Sequence, residues 1–439
     1  MATRVKGMAV VGLLALGSAV LAACREDLTT TLAGDLIPVS AVSVEVRLPF
    51  SEFADGVTVW GGYGRAFQLP TGIVARGYEG LLDARTLVSL VPYPRSAFVT
   101  DTTGSSRSDT VLTFVGGRLV ARFDTISSVS DGPVTLAVGA LQADWDPGSV
   151  TWTLRVDSVG DRRAWSEAGA GPVIPVSTAE WDPAESDSVV FQIDSAGVAV
   201  WGDTAAARRG VRLDAVTEGV RLDVRSVSLS LITRPSVNPD TLVHLSVGAL
   251  GRTFIYHPAP QVTEGSIIVG GVPAWRTVFS MNLPRVLDGP PELCARVTCP
   301  HTLTSRSLVS ASLVLRTEAP PAAFQPTDSL FLDVRPVLEP SRLPKAPLGF
   351  SLAGFLGVRV PPAYFGEEAG SEVIIPLGAY VEQLIAADTA SNSTVPRSIA
   401  LLSSFEPLSL YFGSFHGPGS PLAPELRLIL TLGEEVRVR

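Results

Sequence analysis

Lysine is almost missing from this 439-residue chain: Lys6 and Lys345 are the whole supply. Acidic residues outnumber basic ones, 43 to 34, and the net charge is −9. A chain of that balance lacks the basic stripe that phosphate backbones require, so nucleic acid is excluded as a partner. Histidine (4) and cysteine (3) are equally scarce. His244, His257, His301 and His416 stand apart from one another, and none lies beside a carboxylate or a second histidine at ligand spacing. Each reads as an exposed loop or strand histidine. There is no His-Glu-x-x-His, no Gly-x-Ser-x-Gly elbow and no phosphate-cradling glycine loop before a helix. These absences predict no catalytic constellation, no metal site and no cofactor.

Long apolar runs are also lacking, with one exception at the start. From Met8 the chain is apolar for about 16 residues, short of the roughly 20 that span a bilayer. Arg4 and Lys6 precede the run, and Leu21-Ala22-Ala23-Cys24 closes it. A basic segment, an apolar segment, small residues and then cysteine make the layout of a bacterial lipoprotein signal peptide. Residues 1–23 are therefore read as the signal peptide and Cys24 as the lipidated first residue of the mature chain. Each buried methylene contributes roughly 0.8 kcal/mol, so several acyl chains anchor stably where one would not. Arg25, where an aspartate would favour inner-membrane retention, points to the outer membrane. Residues 24–40 read as a tether.

The remainder is rich in Val, Leu, Ser and Thr, with 40 Gly and 34 Pro spread along it. Such residues suit pleated strands broken by turns. Apolar and polar residues alternate in Val42–Leu48, Val211–Asp214, Arg221–Arg225 and Glu425–Leu430. Period two with one apolar face predicts an antiparallel β-sandwich. Helical periodicity is confined to Asp194–Ala207 and Leu377–Ala387. Element order repeats along the chain: a strand near Gly117 answers one near Ser310, and the strand-then-helix at Ser188–Trp201 answers Glu372–Ala387. The expectation is an all-β chain of two tandem jelly-roll-like sandwiches with one short helix each, over residues 41–241 and 242–439.

Several short segments resemble the DNRLRE-type jelly-roll modules and a group of uncharacterised outer-membrane lipoproteins of the same plan. They are Ser310–Leu315, Asp144-Trp145 with Thr151-Trp152, Val190–Trp201 followed by Gly210–Leu213, and Pro424–Leu428. Gly34–Pro38 and Gly270–Thr277 resemble the lipoprotein group. The resemblance implies the jelly-roll fold and, for some modules, polysaccharide binding. The second half departs from it, with Pro336-Val337-Leu338-Glu339 where the paired tryptophans would stand.

Binding residues are sought among the 7 tryptophans. Trp145, Trp152, Trp165 and Trp181 fall close together, interleaved with acidic residues that include Asp144 and Asp182. Exposed aromatic faces stack on the C–H surfaces of sugars while carboxylates take hydroxyls. Burial of Trp145 and Trp152, with the Asp-Pro pairs as turns, is the other reading. Trp165 and Trp181, in loop-like sequence, are expected to be exposed. With Cys24 lipidated, Cys294 and Cys299 remain as a pair. A local disulfide is expected in an oxidising compartment, and a metal site completed by His301 is the alternative. Three functions follow: a lipid-anchored protein binding a glycan or envelope component, a structural lipoprotein docking on an envelope protein, or a polysaccharide hydrolase or lyase.

Overall fold

The computed structural model describes residues 41–61, 72–158, 160–288, 291–295, 297–388, 395–405 and 410–433. Residues 1–40, with the expected signal peptide, Cys24 and tether, lie outside the described residues. The chain is all-β. Its first strands are β1 (Ala41–Pro49), β2 (Ala54–Trp60), β3 (Gly72–Tyr78), β4 (Leu82–Leu90), β5 (Ala97–Thr100), β6 (Ser106–Asp109), β7 (Leu112–Val129), β8 (Val134–Leu141) and β9 (Leu154–Ser158). They continue as β10 (Asp161–Ala164), β11 (Val173–Trp181), β12 (Ser188–Asp194), β13 (Val211–Ala215), β14 (Val220–Pro235), β15 (Val243–Val247), β16 (Ala249–His257), β17 (Ile267–Gly270) and β18 (Arg276–Met281). The last are β19 (Val286–Leu287), β20 (His301–Thr302), β21 (Leu308–Glu318), β22 (Leu330–Pro336), β23 (Val358–Val360), β24 (Glu372–Pro376), β25 (Ser398–Ser403), β26 (Phe412–Phe415) and β27 (Glu425–Gly433).

Contacts divide the described residues into two units: those within 47–284 and 311–427, and a smaller set within 41–46, 285–310 and 428–433. In the smaller unit, β19 pairs with β20 and Cys294 is joined to Cys299 by a disulfide. Both sulfurs are consumed in that bond, so the alternative of a metal held by Cys294, Cys299 and His301 is not formed.

The larger unit contains a ten-stranded antiparallel sheet in the order β11-β8-β13-β4-β3-β14-β7-β12, with β15 on β14 and β16 on β4. Alternation explains it. Leu119, Ala121 and Phe123 of β7 turn inward with Leu222, Val224, Leu229 and Leu231 of β14 and Leu136 and Val138 of β8. Register shifts interrupt the β14–β7 ladder between Arg221 and Asp223, Val224 and Ser226, and Ile232 and Thr233. Each such bulge bends and twists its strand. The sheet curls until its end strands approach, and the Ser177 hydroxyl of β11 donates to the Gln192 carbonyl of β12 at 2.8 Å.

The rest of this unit is a sandwich. One sheet runs β2-β18-β25-β22-β23; facing it are β21, β26 and β17 in that order, with β24 on β21. They are close enough that a Cβ on Gly413 of β26 would meet the Leu330 side chain of β22 at 2.5 Å. A cluster of Ile73, Ala75, Leu82 and Phe254 with Ile268, Trp275, Phe324 and Phe412 packs the curled sheet against this sandwich. Arg221 lies within the same unit, 1 % exposed, 4.4 Å from the Tyr411 ring and 5.4 Å from the Tyr78 ring. It donates to the Ser127 carbonyl at 2.7 Å, and burial pulls its pKa below the ordinary arginine value.

The strands do not part at residue 241. β15 and β16, beyond it, belong to the curled sheet, while β2, from the chain's start, pairs with β18. The helix expected over Asp194–Ala207 is two: Ser195–Ala199, capped by the Asp194 carboxylate on the Gly197 amide, and Thr204–Arg209, capped by Asp203 on Ala206. The break falls at Trp201, which turns into the core and donates its indole N–H to the Gly210 carbonyl. The second helix, Gly378–Asp388, lies where Leu377–Ala387 predicts it.

Candidate functional site

Three of the four tryptophans singled out from the sequence are interior residues. Trp145, Trp165 and Trp181 are all buried. The expected exposure of Trp165 and Trp181 is thereby corrected, and the reason is local. Each indole N–H finds a backbone carbonyl: Trp145 that of Arg209, Trp165 that of Thr151, Trp181 that of Ser186, at 2.6, 3.1 and 3.0 Å. A ring with its one polar atom satisfied is free to be buried. Trp181 accordingly packs on Phe123 with centroids 4.5 Å apart. The two Trp-Asp-Pro sequences are turns. Asp182 accepts the Ala184 amide and Asp146 accepts the Gly148 amide. Asp182 therefore serves its own loop. Asp144 is exposed and pairs with Arg155 and Arg163 at 3.5 and 3.3 Å. Its carboxyl is held below the usual range, first by its own backbone amide and then by the two guanidiniums.

Trp152 is different. It is half-buried, on the loop between β8 and β9, and it rests on the small core that holds Trp145, Trp165, Leu87 and Ile255. Its ring stacks with His257 at the end of β16, centroids 5.8 Å apart and planes 23° apart. The Arg85 guanidinium of β4 lies 4.7 Å from the Trp152 centroid. The cross-strand pairing of Arg85 with Ile255 sets these residues on one face. Arg85 is fixed by Asp214 at 3.3 Å and by the Gly169 carbonyl. Burial pulls its pKa below the ordinary arginine value, and Asp214 opposes that. Gly169 has φ +80°, and a Cβ there would collide with both the Arg85 guanidinium and the Trp152 ring. Only glycine lets the chain cross so closely.

Trp152 and His257 open onto a cleft of about 430 Å³, whose lining includes Ser149, Thr151, Asp157 and Tyr256. Asp157 is oriented by Arg162 at 2.8 Å, and its amide bonds the Ser149 hydroxyl. Burial raises the pKa of the Tyr256 phenol. The cleft thus joins an aromatic floor to hydroxyl, carboxylate and imidazole groups. A larger depression of about 760 Å³, lined by Gln261, Glu264, Glu318 and Ser420 among others, has only Phe50 and Phe412 as aromatics, and both are buried. It offers no stacking surface.

Of the residues proposed from sequence, the cleft holds Trp152, with Trp145 and Trp165 as its packed support. Arg85 and His257 were not foreseen, since nothing near either in the chain marks it. Among the described residues no group of three His, Cys, Asp or Glu side chains converges as a metal site. His416 Nδ1 lies 3.1 Å from the Ser420 hydroxyl, within one local turn.

No protein-family model matches the chain, and no curated protein matches it. Solved structures that align with it include the C-terminal domain of the antigen I/II-family protein AspA of Streptococcus pyogenes. That pair is 10% identical, covers 79% of this chain and 90% of the other, and has a TM-score of 0.14. The C-terminal domain of the BspA polypeptide of Streptococcus agalactiae aligns at 10% identity over 79% and 90%, with a TM-score of 0.10. At such scores neither carries an argument.

Proposed function

We propose that this chain is a non-catalytic lipoprotein, held on the bacterial outer membrane through Cys24, that binds a glycan of the cell envelope in the Trp152–His257 cleft. The observation that carries the reading is the cleft itself: a half-buried indole stacked with an imidazole, beside the Asp157 carboxylate and the Thr151 hydroxyl. A pyranose packed against the exposed part of the Trp152 ring would place its hydroxyls toward those groups. Arg85 and Gly169 hold the ring in position before a ligand arrives, which lowers the ordering cost of binding. The resemblance to DNRLRE-type modules agrees with this reading, as does the leader box.

The test is titration of envelope polysaccharides and their oligosaccharides into the chain, followed by calorimetry or tryptophan fluorescence. Trp152→Ala should weaken binding at least about tenfold, equivalent to roughly 1.4 kcal/mol, with circular dichroism unchanged. His257→Ala should weaken it less. Binding that survives Trp152→Ala intact, or no binding across the panel, would refute the glycan reading.

A further inference from the structure

Between β22 and β23 the chain makes an excursion over residues 337–357 that ends in Gly349-Phe350-Ser351-Leu352-Ala353-Gly354-Phe355-Leu356-Gly357. Its backbone is tied to the sheet. The Leu338 amide donates to the Pro347 carbonyl, Gly349 to Pro336 and Leu352 to Val334, at 2.9, 2.8 and 2.8 Å. The Ser351 hydroxyl donates to the buried carboxylate of Asp333 at 2.6 Å, and Ser404 donates to the Leu356 carbonyl at 3.0 Å. Gly357, at φ +75°, passes so near Leu332 that a Cβ would meet its carbonyl oxygen at 2.4 Å. Despite that anchorage, Phe350 is 95 % exposed and Phe355 98 %, with Leu338 and Leu356 also exposed beside them. Single apolar side chains on a surface are ordinary, but two phenyl rings held in water by a well-bonded loop are not.

The charge around them is as distinctive. In a chain of net charge −9, the segment 337–359 carries Arg342, Lys345 and Arg359 against the single acid Glu339. Glu339 pairs with Arg342 at 3.3 Å, and Arg359 stands across the β22–β23 ladder from Phe331. Lys345, the one lysine beyond the leader, is exposed. Apolar tips flanked by long cationic side chains match the boundary between acyl chains and headgroups, where the rings enter and the cations reach back to phosphate.

We propose that Phe350 and Phe355 form a membrane-entering prong that seats this loop in a bilayer bearing anionic headgroups. A lipid on Cys24 would keep the prong within reach, because residues 24–40 can span at most about 60 Å. That last argument rests on the lipoprotein reading above; the exposed rings and the flanking cations do not.

Vesicle co-sedimentation separates the two. The chain from residue 24 onward with Cys24→Ser keeps every described residue and carries no lipid. It should sediment with vesicles of phosphatidylethanolamine and phosphatidylglycerol, and much less with phosphatidylcholine. The double variant Phe350→Ser, Phe355→Ser should lose binding by at least about tenfold with an unchanged circular dichroism spectrum. Lys345→Glu should remove the preference for anionic vesicles. The proposal is overturned if the chain sediments with neither vesicle, or if the double variant binds as well as the parent. It is also overturned if the parent dimerises in solution and the double variant does not, since the rings would then cover a second copy. None of these outcomes bears on glycan titration, which the same unlipidated chain allows.

Discussion

A tryptophan's burial depends on where its N–H can be satisfied. Trp165 and Trp181 sit in loop-like sequence, yet the carbonyls that accept their protons, Thr151 and Ser186, come from the loops beside them. Substituting either should therefore act on folding before it acts on any ligand. Trp181→Ala removes a ring in contact with Phe123 and leaves a cavity in the curled sheet. The expected loss is about 3–5 kcal/mol by chemical denaturation. Trp152→Ala, at a half-buried site, should cost much less. A Trp181→Ala protein of unchanged stability would contradict the packing described.

At the scale of the element, the β5–β6 hairpin is held by carboxylates. Asp101 accepts the Thr103 hydroxyl and the Thr103 and Ser105 amides. Asp109 accepts the Val111 and Val237 amides and the Ser236 hydroxyl. These bonds favour the charged forms. Asp101 is lowered chiefly by Thr103, and Asp109 by the Val111 amide. A carboxyl whose folded pKa lies below its unfolded value stabilises fully above the unfolded value, and that contribution is lost as pH falls through the folded one. The amides of Ser105, Val111 and Val237 should therefore lose protection, relative to their intrinsic exchange rates, below about pH 4, and Asp109→Asn should bring the loss of protection to neutral pH. Hydrogen exchange followed by mass spectrometry checks this. Protection that is flat with pH would remove the carboxylates from the account.

At the scale of the molecule, pairing across long sequence distances decides what folds with what. A chain ended at residue 241 would lack β15 and β16, and with β16 the Phe254 that packs with Trp275 and Phe412. Such a fragment should bind hydrophobic dyes and sediment as aggregates, whereas residues 72–257 retain the whole ten-stranded sheet and should remain the more soluble piece. Equal behaviour of the two fragments would argue against this assignment of strands.

Alternation was legible because it is local. Val42–Leu48, Val211–Asp214, Arg221–Arg225 and Glu425–Leu430 all lie within strands. The helical stretch from Asp194 was legible for the same reason, but not its break at Trp201. Sheet membership was not, because β2 meets β18 only across about half of the chain. The site was legible in one residue, Trp152. Arg85 reaches it through a cross-strand register, and His257 through the end of a strand, and neither leaves a mark in its neighbours.

The seam at Ser177 and Gln192 bears on how copies of this chain meet one another at high concentration. Where the outermost strands of a sheet nearly meet, little main chain is left unpaired for a foreign strand to copy. At this seam a neighbouring copy then finds few main-chain groups to add a strand to, and encounters there are decided by what protrudes.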